Sequence, residues 1–284
     1  MDQTSVPPIG WYLDALCLPD ELPLTWSHTP ATSSFSLRGP RPQNQDRTFI
    51  GWMGRCLDQP PMLVVGLLDG MGGMKAGDVA ASVAAAHFLS ALVKDRRHIE
   101  VALRSAISLA NMAVFELFEG HGGATLTAVA MTDDRCVAIH VGDSRLYRSA
   151  PRFEQVSTDD NLAGLLGVGN FDPFDSGLLQ FVGIGPSILC QSYDLTDAVP
   201  SSLLITSDGL HSLGPTFLRS LLRGGWSETR LQRIEIDRGL DDNASAALVR
   251  TARARVELSR LSPNELHLTC GFNGASFTIN TRGD

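Results

Sequence analysis

Residues 62–77 read MLVVGLLDGMGGMKAG. The first seven are an unbroken apolar run rich in valine and leucine, and Asp69-Gly70 ends it. A run this short suits a strand covered on both faces, since a helix of the same burial would be longer. The glycines that follow invite a nucleotide-loop reading. However, G-x-G-x-x-G would need glycine where Lys75 stands, and a Walker loop would need Gly-Lys-Ser/Thr. Gly72 and Gly73 are instead expected to shape a loop whose backbone carbonyls join a metal shell, with Lys75 bordering the next helix.

Two helices are expected after this strand. Asp78 to Val93 is apolar nearly all round, with Ala80, Ala81, Ala84, Ala85 and Ala86 allowing close approach. From His98 to Glu119, Ile99, Ala102, Leu103, Ala106, Ile107, Ala110, Ala113, Val114 and Leu117 recur at three- and four-residue steps, and glycines end the pattern. Short strands with tight turns follow at 125–131, 136–141 and 145–148, which indicates antiparallel pairing. Residues 159–199 read as a loop-dominated excursion. A strand at 203–206, helices near 216–222 and 228–236, and a strand at 244–249 complete the order. Lacking the regular alternation of a parallel α/β fold, the chain is expected to be antiparallel α+β. Residues 1–34 read as an irregular arm, 35–250 as the main domain, and 251–284 as an extension. In the extension, Asn273-Gly274 signals a β-hairpin between 266–272 and 276–280.

The 284 residues are 43% hydrophobic, enough for a sizeable core, which excludes a wholly disordered chain. A net charge of −8 without a Lys/Arg run argues against nucleic-acid binding. Cys17, Cys56, Cys136, Cys190 and Cys270 are odd in number, widely spaced and form no C-x-x-C pair, so buried free thiols are expected. The start, MDQTSVPPIGWYLD, places Pro7 and Pro8 where a signal peptide has its apolar run, and no apolar stretch reaches ~18 residues. The expectation is a cytoplasmic protein with no membrane partner.

The aspartates carry the functional signal. Asp69 follows MLVVGLL, Asp208 follows LLITS, Asp143 follows VAIHVG, Asp242-Asn243 opens ASAALV, and Asp46 precedes Thr48-Phe49-Ile50. A single Asp-Gly after a strand is normally a turn. Five aspartates at strand ends are different, because strand pairing would gather them at one edge. Like charges so placed either protonate or bind cations. Oxygen ligands without Cys or His select Mg²⁺ or Mn²⁺. Two such ions some ~3.5–4 Å apart suit phosphoester hydrolysis.

Six motifs in order resemble the metal-dependent protein phosphatases of the PP2C (PPM) family, bacterial type. They are Arg41-Pro-Gln-Asn44-Gln45-Asp46-Arg47, Leu68-Asp69-Gly70-Met71-Gly72-Gly73, Gly122-Gly123-Ala-Thr125, His140-Val141-Gly142-Asp143-Ser144-Arg145-Leu146-Tyr147, Thr206-Ser207-Asp208-Gly209-Leu210 and Asp242-Asn243. The resemblance spans roughly residues 36–250. It implies an α-β-β-α sandwich of two antiparallel sheets flanked by helices, with the metal site at one edge. It also implies two catalytic Mn²⁺ or Mg²⁺ ions and a third, weaker position. Asp69 would bridge the two ions, with Gly70 giving its carbonyl. Asp208 and Asp242 would complete the second ion's shell, Asp46 would act on the first ion's shell or through water, and Asp143 with Asp208 would form the third position. Arg41 would hold the substrate phosphate. The implied activity is hydrolysis of phosphoserine and phosphothreonine in proteins by direct attack of metal-bound hydroxide, reversing a Ser/Thr kinase. The alternative is a pseudophosphatase that binds phosphoproteins without turnover.

Two departures stand out. Met71 occupies the place where many eukaryotic members have a general-acid His, and Asp159-Asp160-Asn161 replaces the usual Asp-His-Ser. Arg145 is expected either to fix the strand end by a salt bridge or to touch substrate, and Asp241 rivals Asp242 as a ligand. His140 and His87 are expected to pack rather than ligate. Trp11, Tyr12, Trp26 and the hairpin are candidate docking elements.

Overall fold

The chain, seen as a computed structural model, is described over residues 6–16, 22–54, 59–71, 76–94, 98–149, 151–167, 177–197, 199–223, 226–270 and 273–278. Helix α1 (Ile9–Leu16) leads into β1 (Leu24–His28), β2 (Thr32–Leu37), β3 (Asp46–Met53) and β4 (Met62–Asp69). Helices α2 (Gly77–Lys94) and α3 (Ile99–Phe118) follow, then β5 (Leu126–Met131), β6 (Cys136–Val141), β7 (Arg145–Arg148) and β8 (Glu154–Gln155). Next come α4 (Leu162–Leu166), β9 (Gln191–Asp194), β10 (Ser202–Thr206), α5 (Asp208–His211), α6 (Pro215–Arg223) and α7 (Glu228–Arg238). Strand β11 (Ala244–Arg250), α8 (Thr251–Leu258), β12 (Glu265–Cys270) and β13 (Asn273–Thr278) close the order.

One sheet has the order β1-β2-β11-β10-β7-β8 and the other β13-β12-β3-β4-β5-β6-β9. All pairings among the described strands are antiparallel. Strand β4 shows why the sheets stack. Its Leu63, Val65 and Leu67 enter the core between the sheets, while Met62, Val64 and Leu68 enter a second core beneath α1, α2 and α3. A strand apolar on both faces needs cover on both. Gly66 breaks the run because Phe49 fills its place: a Cβ there would lie 2.3 Å from the Phe49 ring, which packs against Phe88. Ala80, Ala81, Ala84, Ala85 and Ala86 of α2 are fully buried and let it sit close to α3 and the sheet. A third core joins the first sheet to α5, α6 and α7 around Phe35, Leu204, Trp226 and Leu231. The result is the expected α-β-β-α sandwich.

Helix α3 is long and apolar enough by composition to cross a membrane. Here its Ile99, Leu103, Ile107, Ala110 and Val114 belong to the core it shares with α2. Cys136, Cys190 and Cys270 are free thiols, whereas Cys17 and Cys56 lie outside the described residues.

Three expectations differ from the structure. The segment expected as an irregular arm contains α1, β1 and the start of β2, and Tyr12 and Leu16 are core residues. Strand β2 is hard to see in sequence because Ser33, Ser34 and Ser36 are buried polar groups, made tolerable by bonds such as Ser245 Oγ to Ser36 Oγ at 2.7 Å. The segment after 250 is joined to the fold: β12 pairs with β3 and extends the second sheet. The hairpin is present, but its register pairs Cys270 with Asn273, so Asn273-Gly274 opens β13 instead of forming the turn. Burial of Leu266, Leu268 and Cys270 fixes the register of β12 against β3, since a one-residue slip there would turn all three outward.

Candidate active site

The ladders bring the aspartates to one end of both sheets. Asp46 opens β3 directly opposite Asp69, which closes β4. In the other sheet Thr206 pairs with both Arg145 and Ala246, so Asp143, Asp208 and Asp242 also fall at one end. A pocket of about 250 Å³ lies there, lined by Arg41, Gln45, Asp69, Gly70, Met71, Thr125, Asp143, Leu178, Asp208, Asp242 and Asn243. Asp46 is the exception among the expected residues: it stands behind the lining, fully buried.

Each carboxylate is held by its neighbours. Ser207 Oγ donates to Asp46 Oδ2 at 2.9 Å, while Asp46 Oδ1 is buried without a hydrogen-bond partner. Asp69 N–H donates to Thr125 Oγ1 at 2.9 Å and Thr125 N–H returns a bond to Asp69 O at 2.8 Å. Thr125 Oγ1 in turn meets Ser144 Oγ at 2.7 Å. Gly70 admits no side chain, because a Cβ would lie 2.2 Å from Gly77 O and 2.9 Å from Gln45 O. Asp208 Oδ1 accepts from Gly209 N–H, and Asp242 Oδ1 from Asn243 N–H. Asp241 is exposed and does not line the pocket, whereas Asp242 does. Arg41, half-exposed at the mouth, donates from Nη2 to Asp242 Oδ2 at 2.7 Å.

Crowding shows in the protonation of these groups. Burial, only partly offset by the Ser245 and Ser207 hydroxyls and reinforced by Asp208 and Asp242, pushes Asp46 up to about 7. Burial and the charges of Asp46, Asp208 and Asp143 hold Asp69 well above the usual carboxylate range, and Asp69 and Asp208 share a hydrogen bond. Burial and the charges of Asp208 and Asp159 push Asp143 up to about 7. Burial and Asp242 also raise Asp208. A protein that gathers so many carboxyl groups around so few basic ones, Arg41 at the mouth and Arg145 near Asp143, favours cations in that space. The donors are all oxygens, as hard divalent ions require, and the unpartnered Asp46 oxygen fits the same demand. Among the described residues no three such groups already stand arranged around a common point.

The structure also shows residues that sequence reasoning passed over. Asn243 ties the Arg41 loop down: its Oδ1 accepts from Gln45 N–H at 2.9 Å, and its Nδ2 donates to Arg38 O and Gln43 O. Arg47 binds the same loop to α2 through Ser82 Oγ, Asn44 O and Asp46 O. An Arg in a strand beside Asp46 was a visible but unread signal. Leu178 adds an apolar wall to the pocket. Gly72, Gly73 and Lys75 lie outside the described residues.

The departures become intelligible. Arg145 takes the salt-bridge role, with Nε and Nη2 bonded to the buried Asp159 at 2.7–3.1 Å. Asp160 Oδ2 accepts from Gly142 N–H at 2.9 Å and Oδ1 from Gln191 Nε2 at 2.8 Å, while its carbonyl accepts from Leu179 N–H. Asn161 Oδ1 caps α4 through Gly164 N–H. His140 is a buried packing residue, with Nδ1 at 2.8 Å from Thr127 Oγ1 and Nε2 at 3.1 Å from Thr158 O.

No protein-family profile matches the chain. Curated relatives do: a serine/threonine phosphatase stp of Listeria welshimeri is 29% identical over 217 residues, covering 68% of this chain and 85% of the relative. Its counterpart in Listeria monocytogenes serovar 1/2a is 28% identical over the same span. Among solved structures, the PPM Ser-Thr phosphatase MsPP of Mycobacterium smegmatis superposes with a TM-score of 0.62 at 26% identity, covering 78% of this chain and 99% of that one. The serine/threonine phosphatase Stp1 of Staphylococcus aureus has the same fold, with a TM-score of 0.66 at 23% identity over 78% of this chain and 95% of its own. Sandwich, motif order and relatives agree: in fold and sequence the chain is similar to the bacterial PP2C (PPM) phosphatases, and these likenesses support that class for it.

Proposed function

We propose that the chain is a metal-dependent phosphoprotein phosphatase that cleaves phosphoserine and phosphothreonine esters at the aspartate pocket with two Mn²⁺ or Mg²⁺ ions. The observation that carries this is the convergence of Asp46, Asp69, Asp143, Asp208 and Asp242 beside Arg41 at one end of both sheets. Asp69 and the Gly70 carbonyl would help hold the ions, Asp208 and Asp242 would complete the shell of the second, and Asp46 would act on the first directly or through water. Asp143 with Asp208 is assigned to a third, weaker position. When bound, such ions supply Lewis acidity that activates water and neutralises phosphoryl oxygens.

The protein's own groups do the rest. Among the described residues Arg41 is bonded only by Nη2 to Asp242, which leaves its other donors for phosphate oxygens in a planar fork. Met71 has no proton to give the leaving alkoxide. Burial and Arg145 hold His211 neutral, pushed down to about 4, so it is no general acid either. Water at the pocket mouth is left as the proton source. The catalytic unit is taken as residues 35–250, with the flanking segments supplying edge strands and α1. The proposed substrate is a cytoplasmic phosphoprotein made by a Ser/Thr kinase, and the phosphoprotein part is supported by relatives named as serine/threonine phosphatases.

The test is hydrolysis of an aryl phosphate and a phosphothreonine peptide with Mn²⁺, with Mg²⁺ and with chelator, beside Asp69→Ala and Asp208→Ala. Metal-dependent turnover lost in both variants is expected. Folded protein inactive with either ion would leave the pseudophosphatase reading in its place.

A further inference from the structure

Helices α6 and α7 enclose a second groove of about 200 Å³, separate from the aspartate pocket. It brings Arg230, Arg233 and Arg238 together beside the buried Ile234 and the half-buried Phe217, with Asp237 as its only acid among the lining residues. Along α7, Arg233 and Arg238 lie three and eight residues after Arg230, which places them on either side of it on the helix surface.

Two of these guanidinium groups are fixed by partners that leave their charge uncompensated. Arg230 Nη2 donates to Ser220 O at 3.0 Å, and Arg238 lies over the Phe217 ring at 5.2 Å from its centre. Among the described residues none of the three arginines is in a salt bridge. In a chain of net charge −8 this is a local reversal of sign. Pre-positioned guanidinium groups match carboxylates through paired N–H donors, and gathered positive charge raises the local concentration of anions.

We propose that this groove docks an acidic segment of a partner protein. Its Asp or Glu side chains would pair with Arg230, Arg233 and Arg238, and an apolar side chain between them would rest on Phe217 and Ile234. The concave shape and apolar residues fit a peptide. An extended polyanion, such as RNA or an anionic bilayer, would also meet the acidic excess carried by the rest of the chain. The docking is independent of phosphate hydrolysis.

The experiment is fluorescence anisotropy of a fluorescein-labelled peptide with a single Leu flanked by Asp and Glu, titrated with the full chain at low and at physiological salt. Arg233→Glu and Arg238→Glu alter exposed side chains, so unchanged thermal midpoints are expected and checked first. Binding by the native chain, weakened about tenfold or more in the double variant with a shallower salt dependence, is the expected result. Asp69→Ala should bind as the native chain does, which separates this outcome from the fate of the phosphatase reading. No binding by the native chain, or equal binding by the double variant, overturns the proposal. So does tighter binding of a single-stranded RNA oligomer or of phosphatidylglycerol vesicles, lost in the same double variant.

Discussion

Asp46 and Asp69 face each other across the β3–β4 ladder, and the inner of the two, Asp46, is fully buried with one carboxylate oxygen unpartnered. Without a cation this pairing destabilises the fold. Asp46 holds its proton in the folded chain up to about 7, against an ordinary 3.8, so between these values the folded state binds more protons than the unfolded one. Its contribution is therefore favourable at low pH and lost as pH rises through about 7. In chelator, Asp46→Asn should melt above the native protein, by a margin that grows from pH 5 to pH 7.5. Thermal midpoints at the two pH values check this; a margin that shrinks would remove the argument. With Mn²⁺ present the sign should reverse, because the cation takes the place of the protons.

Arg41 stands at the pocket mouth with one nitrogen on Asp242 and its other donors open. If those donors take the phosphate, Arg41→Ala should raise KM for a phosphopeptide by roughly 10- to 100-fold, the worth of charged hydrogen bonds. Arg41→Lys should recover only part of this, since an ammonium cannot present the planar fork. Steady-state kinetics on both variants decide the point.

The bidentate Arg145–Asp159 pair joins the start of β7 to the chain entering α4. Asp159 is buried and Arg145 about a third exposed, so solvent screens part of the interaction. Asp159→Ala should cost about 1–2 kcal/mol, seen as a lower urea midpoint. Asp160→Ala, which releases Gly142 beside Asp143 and also Gln191, should instead raise the metal concentration needed for turnover. Titrating Mn²⁺ against rate separates the two effects.

Gly66→Ala would drive a methyl group into the Phe49 ring. Overpacking of this kind costs about 1–3 kcal/mol. The variant should unfold earlier in urea while keeping its KM, because β4 reaches the pocket only at Asp69, three residues further on.

What could be read in advance followed local rules. Strand β4 announced itself by length and composition, α3 by its period, and the aspartates by their place after apolar runs. Strand β2 did not, since its buried serines rely on distant residues to complete their hydrogen bonds, Ser36 on Ser245 and Ser33 on Arg250. Asn273-Gly274 is a sound local turn signal, but the ladder that pairs Cys270 with Asn273 takes it into β13. The organising role of Asn243 depends on Gln43, Gln45 and Arg38, some two hundred residues earlier, and no pattern near Asn243 encodes them.

Strands β10 and β11 are hydrogen-bonded neighbours, and the run 209–241 leaves from Asp208 and returns to Asp242. The ladder therefore fixes the span between these two aspartates, whatever the intervening helices do. The outward-facing residues of α6 and α7 are therefore free to vary without moving these two aspartates, whereas Leu218, Leu221 and Leu231, which close the core on the first sheet, are not.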